Sequence, residues 1–410
     1  MSNLSNKIKK LTFLLKKDTS NHIKPCDILF ICQDVDRSIT LEGKAFSPIL
    51  DSIVQDLQKR GYLCSSFSLP FAKYVGEKGF NNPLNANRSF LIYSILKRLG
   101  LPMTTFRLYD KVIKQSRAKL VLTIGSTANI ARAVKNNNAY HIEVLHGMGY
   151  TRIEWGWDKL NSNELPHEII ALDKTSMSGF QNLESKGVKI NYLPHPFLRK
   201  FLRKEVPQEW IMTKPSQYKK QIIITLQWGY AGDHGTYNEL SGILNNGLYY
   251  PVIEELIEKW KDILWRFRLH PVQFHNTSNR SKVIKIEELC KRYKNTEWKE
   301  STTFPLPSIL SQCNGHITMS SMSSYEASKF NIPTLALCPT LKPGGIHSRQ
   351  FEDLVNDGLL IKGEPEVSSI SNWIKSLKLD AESKIEDEEF TYSNSLDRIL
   401  KQANLTHQSL

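Results

Sequence analysis

The sequence predicts an α/β protein made of two tandem domains, each a doubly wound parallel sheet with helices on both faces. Three observations predict it. Short, nearly continuous apolar runs of strand length recur along the chain, as expected of strands buried on both faces. Between them lie segments whose apolar residues repeat at helical spacing, so strand and helix alternate. The rhythm breaks over a basic, proline-containing stretch that begins at Phe201, then starts again.

In chain order, residues 4–17 come first: Leu4, Ile8, Leu11 and Leu15 recur at helical spacing among Lys7, Lys9, Lys10, Lys16 and Lys17. Residues 1–20 thus read as a basic amphipathic helix, which either lies on an anionic membrane surface or docks on its own domain. A first domain is expected over 21–205. Its strands are Asp27 to Cys32, Lys119 to Ile124, Tyr140 to Leu145, Ile169 to Leu172 and Ile190 to Leu193. Helices are expected at Ile49 to Lys59, Ala128 to Lys135 and Ser176 to Ser185. Pro207 and Pro215 mark 206–220 as a linker. A second domain, 221–380, restarts with the strand Ile222 to Leu226. Helix Tyr250 to Lys261, strand Trp265 to Leu269, helix Lys285 to Tyr293, strand His316 to Met319, a helix from Tyr325 and strand Thr334 to Cys338 follow. The remainder, 381–410, is a polar tail with a closing helix near Ser395 to Gln402.

Composition narrows the partners. Of 410 residues, 54 are Lys or Arg and 41 Asp or Glu, a net charge of +13 that favours polyanions: nucleic acid, anionic lipid or phosphorylated small molecules. Forty per cent hydrophobic residues exclude wholesale disorder. Six scattered cysteines without a C-x-x-C pair indicate a reducing, cytoplasmic compartment. No signal-peptide core and no long uncharged apolar run is present, so neither export nor a membrane span is expected.

In an open parallel sheet, ligands bind beyond the carboxyl ends of the strands, so residues just after each strand are the candidates. His270-Pro271 ends one strand; its imidazole can donate to a phosphate oxygen, with Arg268 adding charge. Ser320-Ser321-Met322-Ser323-Ser324-Tyr325-Glu326-Ala327 joins a strand to a helix. Hydroxyls and helix N–H groups there suit phosphate, and Glu326 suits ribose hydroxyls. Equally, Ser323 with Glu326 fits a capping box that needs no ligand. Gln227-Trp228-Gly229-Tyr230, with Gly232 and Gly235, follows the second domain's first strand. In the first domain, Asp34, Asp36, Arg37, Glu42, Gly43 and Lys44 follow the first strand, either a sugar-binding loop or a solvated one.

Taken in order, His270-Pro271, the Ser-rich turn, Tyr325-Glu326-Ala327 and Asn331-Ile332-Pro333 resemble the donor domain of GT-B glycosyltransferases of bacterial surface polysaccharides, capsule and O-antigen included. The likeness is to the sialyl-, Kdo- and glycerophosphate-transferring members. His141-Ile142-Glu143-Val144-Leu145-His146-Gly147 is similar to the E-x-x-H-G stretch of the same enzymes, and Glu42-Gly43 to the acidic-Gly element of polysialyltransferases. The resemblance implies two Rossmann-like domains facing a cleft. It also implies a CMP- or UDP-linked donor held by His270, Ser320, Ser321, Ser323 and Ser324, with Glu326 on the ribose, Arg268 adding charge and Gly229 near the phosphates. The acceptor would be a lipid-linked glycan, reached from the cytoplasmic face of the inner membrane. His146 is the leading candidate for the base that deprotonates it, with Glu42 and Asp36 as further catalytic candidates. Strand alternation turns Glu143 to the opposite face.

No G-x-G-x-x-G, P-loop or G-x-S-x-G motif is present. Cys313-x-x-His316 has no second pair at zinc spacing and the donor half has no D-x-D triplet, so neither metal nor cofactor is expected beyond the nucleotide-sugar. Two alternatives stay open. One is a CDP-polyol (glycerol or ribitol) phosphotransferase of teichoic-acid type. The other is a non-catalytic nucleic-acid-binding protein, although the basic residues are spread rather than striped and nucleic acid is not an expected partner.

Overall fold

The computed structural model describes residues 15, 17–33, 36–69, 84–100, 105–212, 215, 217–227, 229–230, 240–244, 247–271, 273, 280–378 and 386–405. The basic helix of 1–20 lies almost wholly outside them, as do Asp34, Trp228, Gly232 and Gly235. Two compact units form: residues 1–199 with 386–410, and residues 200–385.

The first unit is built on strands β1 (Ile28–Gln33), β4 (Cys64–Leu69), β5 (Leu84–Asn85), β6 (Leu120–Thr123), β7 (Tyr140–Val144), β8 (Glu168–Ala171) and β9 (Lys189–Tyr192), with a hairpin of β2 (Ile39–Leu41) and β3 (Lys44–Phe46). The seven-stranded sheet runs β5-β4-β1-β6-β7-β8-β9, parallel throughout. Strand β1 is central, which is why Ile28 to Cys32 are all buried. Helices α1 (Leu50–Lys59), α2 (Asn87–Arg98), α3 (Phe106–Ser116) and α4 (Ala128–Asn136) flank it. The apolar stripes follow helical spacing: Leu50, Ile53 and Leu57 on α1, and Ile130, Ala133 and Val134 on α4. Strand order reverses between β1 and β6, which opens a crevice at their carboxyl ends.

Helix Glu386–Gln402 belongs to this first unit. It buries Tyr392, Leu396, Ile399 and Leu400. Arg199 pairs with Asp56 at 2.8 Å and Glu389 at 2.6 Å, its guanidinium 4.1 Å from the Tyr392 ring centre. Arg398 pairs with the fully buried Glu168 at 2.6 Å. A chain segment distant in sequence is thus fastened by buried ion pairs, whose disruption leaves charges unpaired.

The second unit is a six-stranded parallel sheet in the order β12-β11-β10-β13-β14-β15. Its strands are β10 (Lys220–Thr225), β11 (Ile263–Arg268), β12 (Thr296–Glu297), β13 (Gly315–Thr318), β14 (Thr334–Ala336) and β15 (Leu360–Lys362). The order reverses between β10 and β13, the same topology as in the first unit. Of the two arginines on β11, Arg266 is 0% exposed and held inside by Gln221 (2.7 Å) and Glu297 (3.1 Å). Arg268 stands at the carboxyl end of β11, in register with Thr225 of β10. Among the described residues, no helix is long and apolar enough to cross a membrane.

Candidate functional site

Each unit carries a polar cluster at its switch point. In the second unit, Thr225 of β10 lies in register with Arg268 of β11 and Thr318 of β13, so three strand ends meet there. His270 follows β11, and its N–H donates to Gln273 Oε1 at 2.9 Å. Gln273, fully buried, donates from Nε2 to Gln227 O at 3.2 Å. Gln227 Oε1 in turn accepts from Ser320 N at 2.6 Å and Thr318 Oγ1 at 3.3 Å. Two neutral amides therefore tie the His-Pro loop to the serine loop. Gln227 opens the loop singled out after the second domain's first strand, whereas no local pattern marks Gln273 in the sequence.

Burial and the neighbouring Arg268 lower the His270 pKa to about 4, so the ring is neutral at physiological pH. A neutral imidazole still donates one hydrogen bond. Arg268 donates to the carbonyls of Ser301 and Phe304 (2.8 Å to the latter), and burial lowers its pKa to about 10, which leaves it charged. Burial raises Glu326 to about 7, against the opposing pull of Arg268.

The helix Ser323–Lys329 begins at the N-cap Met322 without a side-chain cap. The capping box of Ser323 with Glu326 is therefore not formed. The serines divide into two pairs. Ser320 and Ser321 stay partly exposed, with Ser320 Oγ 2.5 Å from the Tyr230 hydroxyl. Ser323 and Ser324 are buried and turn inward: Ser323 Oγ meets Thr225 Oγ1 (3.1 Å) and His316 Nε2 (3.3 Å), and Ser324 Oγ donates to Ser321 O (2.8 Å). The Ser323 hydroxyl thus joins the start of the helix to the sheet, and that of Ser324 closes a contact within the loop. Gly229 has φ +96°, a backbone conformation that favours glycine, and it turns the chain from β10 into buried Tyr230.

The first unit's crevice is a cavity of about 520 Å³ lined by Gln33, Asp36, Gly125 to Ala128, Glu143, His146, Trp155 and Trp157, among others. Here the structure corrects the alternation argument for Glu143. Its carboxylate, 3% exposed, lines this cavity and accepts from Gly125 N (2.7 Å), Ser126 N (3.1 Å) and the Thr123 hydroxyl. Burial pushes its pKa up to about 8, the three hydrogen bonds notwithstanding, and the charge of Asp36 adds to the rise.

His146 stands exposed at the pocket, 5.4 Å from the Trp155 ring centre, its Nε2 3.0 Å from the Tyr150 hydroxyl. Enclosure by protein atoms disfavours the imidazolium, so its pKa falls below the ordinary histidine value instead of sitting at it. In the tautomer whose Nε2–H donates to Tyr150, Nδ1 keeps its lone pair free to accept a proton; in the other, the Tyr150 hydroxyl donates to Nε2.

The loop that carries these rings is built in. Gly149 N donates to Asp173 Oδ2 (2.9 Å) and Tyr150 N to Ser176 Oγ (3.0 Å). A Cβ on Gly179 would lie 2.2 Å from Tyr150 O, so only glycine permits this approach. Trp155 sits at φ +58°, a strained conformation for a bulky residue that costs roughly 1–3 kcal/mol.

Asp36 lines the same cavity and accepts from Gln33 N at 3.0 Å. Glu42 does not. It shares with Gly43 the two-residue turn of the β2–β3 hairpin, with φ of 50° and 74°, and lines a separate cavity of about 600 Å³ beside Arg37 and Asp51. The structure thus brings His146, Asp36 and Glu143 together and leaves Glu42 apart.

No protein-family model matches the chain, and no curated protein matches it. Many solved structures do. A candidate UDP-N-acetylglucosamine 2-epimerase from Listeria monocytogenes aligns with a TM-score of 0.59 at 12% identity, over 93% of this chain and 98% of that one. The UDP-GlcNAc 2-epimerase of Methanocaldococcus jannaschii aligns at 0.54 and 13%, over 92% and 99%. That of Neisseria meningitidis, bound to UDP-GlcNAc, aligns at 0.52 and 13%, over the same shares. At these identities the likeness establishes the fold: two Rossmann-like α/β units of the GT-B type, matching the two parallel sheets described above.

Proposed function

We propose that the protein is a glycosyltransferase that moves a sugar from a CMP- or UDP-linked donor, bound by the second unit, to a hydroxyl of a glycan acceptor bound by the first. The observation that supports this best is the convergence of Arg268, His270, Ser320 and Ser321 at the carboxyl ends of β10, β11 and β13, with Glu326 near enough to feel the charge of Arg268. The first unit places an imidazole and two carboxyl groups at the matching position of its own sheet. The UDP-GlcNAc bound to the Neisseria epimerase is consistent with a nucleotide-sugar donor for this fold.

In this mechanism His146 accepts the proton of the acceptor hydroxyl as its oxygen attacks the anomeric carbon. The bond from that carbon to the donor phosphate breaks, and the nucleotide leaves with the electron pair. Arg268 meets its charge, while His270, Ser320 and Ser321 donate hydrogen bonds to it. Glu326 accepts from the ribose hydroxyls. No metal ion is required, and EDTA is expected to leave the rate unchanged. The acceptor in this proposal is a lipid-linked surface glycan, and the lysines of segment 1–20 supply charge for a peripheral position on an anionic inner membrane.

Product analysis tests the proposal. Nucleotide-sugars are incubated with and without glycan acceptors, and the products are resolved by mass spectrometry and NMR. A new glycosidic bond with release of free nucleotide is the expected result. A phosphodiester product would place the enzyme among polyol-phosphate transferases. A changed sugar configuration formed without acceptor would make it an epimerase.

A further inference from the structure

We propose that the first unit's cavity is a subsite for an uncharged saccharide, with Trp155 as the surface on which the sugar ring stacks, and that it rejects phosphorylated and carboxylated glycans. The proposal deepens the glycosyl-transfer reading and depends on it for the cavity's place in the reaction. Three observations carry it.

The first is charge. The chain carries a net +13, yet among the described residues those lining this cavity include Asp36 and Glu143 and neither lysine nor arginine. An anionic ligand would find no cationic partner among these lining residues, and beside it the carboxyl group of Asp36 and the protonated, acceptor-rich carboxyl of Glu143.

The second is the fate of the backbone donors. At the switch point of a Rossmann-like sheet, the N–H groups of the strand-to-helix turn are the ones that hold a phosphate. Here Gly125 N and Ser126 N both donate to Glu143. The turn is filled by the protein's own side chain, so the donors a phosphate would need are taken.

The third is the aromatic wall. Trp155 is 49% exposed and held by its left-handed backbone among Trp157 (ring centres 5.1 Å apart), Tyr150 (5.4 Å) and His146 (5.4 Å). A large apolar ring kept half in water by a strained backbone is placed for a ligand rather than for the core. The polar groups of Gln33, Asp36 and Thr127 border the same space and suit the hydroxyls at a sugar's edge, while the indole suits its C–H face. A volume of about 520 Å³ falls in the range of small-molecule sites.

The test is saturation-transfer-difference NMR on the full chain. Its probes are the methyl glycosides of glucose, galactose and N-acetylglucosamine, set beside glucose 6-phosphate and glucuronic acid. UDP- and CMP-induced thermal shifts are recorded on the same samples. Trp155→Asn removes the ring with a residue that tolerates positive φ, so the fold is kept; Trp155→Phe retains an aromatic face. The expected result is binding of at least one neutral glycoside, weakened about fivefold to tenfold in Trp155→Asn and regained in Trp155→Phe, with no binding of the two charged sugars. Binding of a charged sugar as strong as that of the neutral ones would overturn the proposal, as would neutral binding indifferent to Trp155→Asn. If no neutral glycoside binds while a nucleotide still stabilises the protein, the subsite falls and the glycosyl-transfer reading stands. If neither binds, both fall.

Discussion

Replacing His146 by alanine is expected to lower kcat by ~10²- to 10⁴-fold, the range typical of a lost general base, while nucleotide-induced stabilisation stays as in the wild type. The two readouts separate because His146 lies in the first unit, whereas the candidate donor residues lie in the second. The acid limb of the pH–rate profile carries the same information. A base must be neutral to accept a proton, and the His146 pKa lies below the ordinary value of 6.5. Activity is therefore expected to persist below pH 6.5 and to fall only as that lowered pKa is approached. Initial rates with saturating donor measure both effects. A variant retaining most of the wild-type kcat would move the base elsewhere in the cavity, with Asp36 next in place.

Glu143→Gln is expected to remove a pH dependence of stability. The unfolded carboxyl loses its proton near the usual value of 4.5, whereas the folded one keeps it up to about 8. Between these values the native state binds more protons than the unfolded state. The group's contribution is thus fully present below pH 4.5 and is lost as pH rises through 8, at a slope of at most ~1.4 kcal/mol per unit. The groups in contact with this carboxyl or acting on it are Asp36 and, through the Thr123 hydroxyl, the fully buried His141. Burial holds His141 near 3, so it stays neutral across the window. Urea unfolding at about pH 5 and about pH 8.5 should show wild type losing stability relative to the variant as pH rises. A constant difference at both pH values would contradict the assignment of a buried, protonatable carboxyl.

Much of the sheet was legible because its central strands are buried on both faces. Ile28 to Cys32 and Ile222 to Thr225 are continuous apolar runs, and the structure buries every one of these residues. Strand β4 was not legible. Its sequence, Cys-Ser-Ser-Phe-Ser-Leu, looks polar, but within the sheet Ser68 can donate to Cys32 O at 3.3 Å and so be buried without an orphaned hydroxyl. The β2–β3 hairpin was hidden for a different reason. A Glu-Gly turn reads as readily as a binding loop, and only the positive φ at both residues identifies it.

The site residues follow the same division. His270 and the serine turn were legible in the sequence as strand ends, and the structure places both there. Glu143 was misplaced because alternation separates a wet face from a dry one, and a strand covered on both sides has no wet face. At its carboxyl end such a strand can direct residues of either face into the crevice. Gln227, in the singled-out loop after β10, and the buried Gln273 join through their amides, a pairing that depends on three strands meeting and has no local pattern. The attachment of helix Glu386–Gln402 likewise depends on Arg199 and Asp56, far away in sequence.

Nucleotide binding decides whether the second unit holds the proposed donor site. Thermal unfolding of the wild type and of His270→Ala is recorded with UDP, CDP, CMP, GDP and ADP. A uridine or cytidine nucleotide at ~100 times its Kd should stabilise the wild type by about 2.7 kcal/mol, a shift of several degrees in Tm, and His270→Ala should lose most of that shift. A wild-type Tm unmoved by all five nucleotides would contradict the glycosyltransferase proposal at its root.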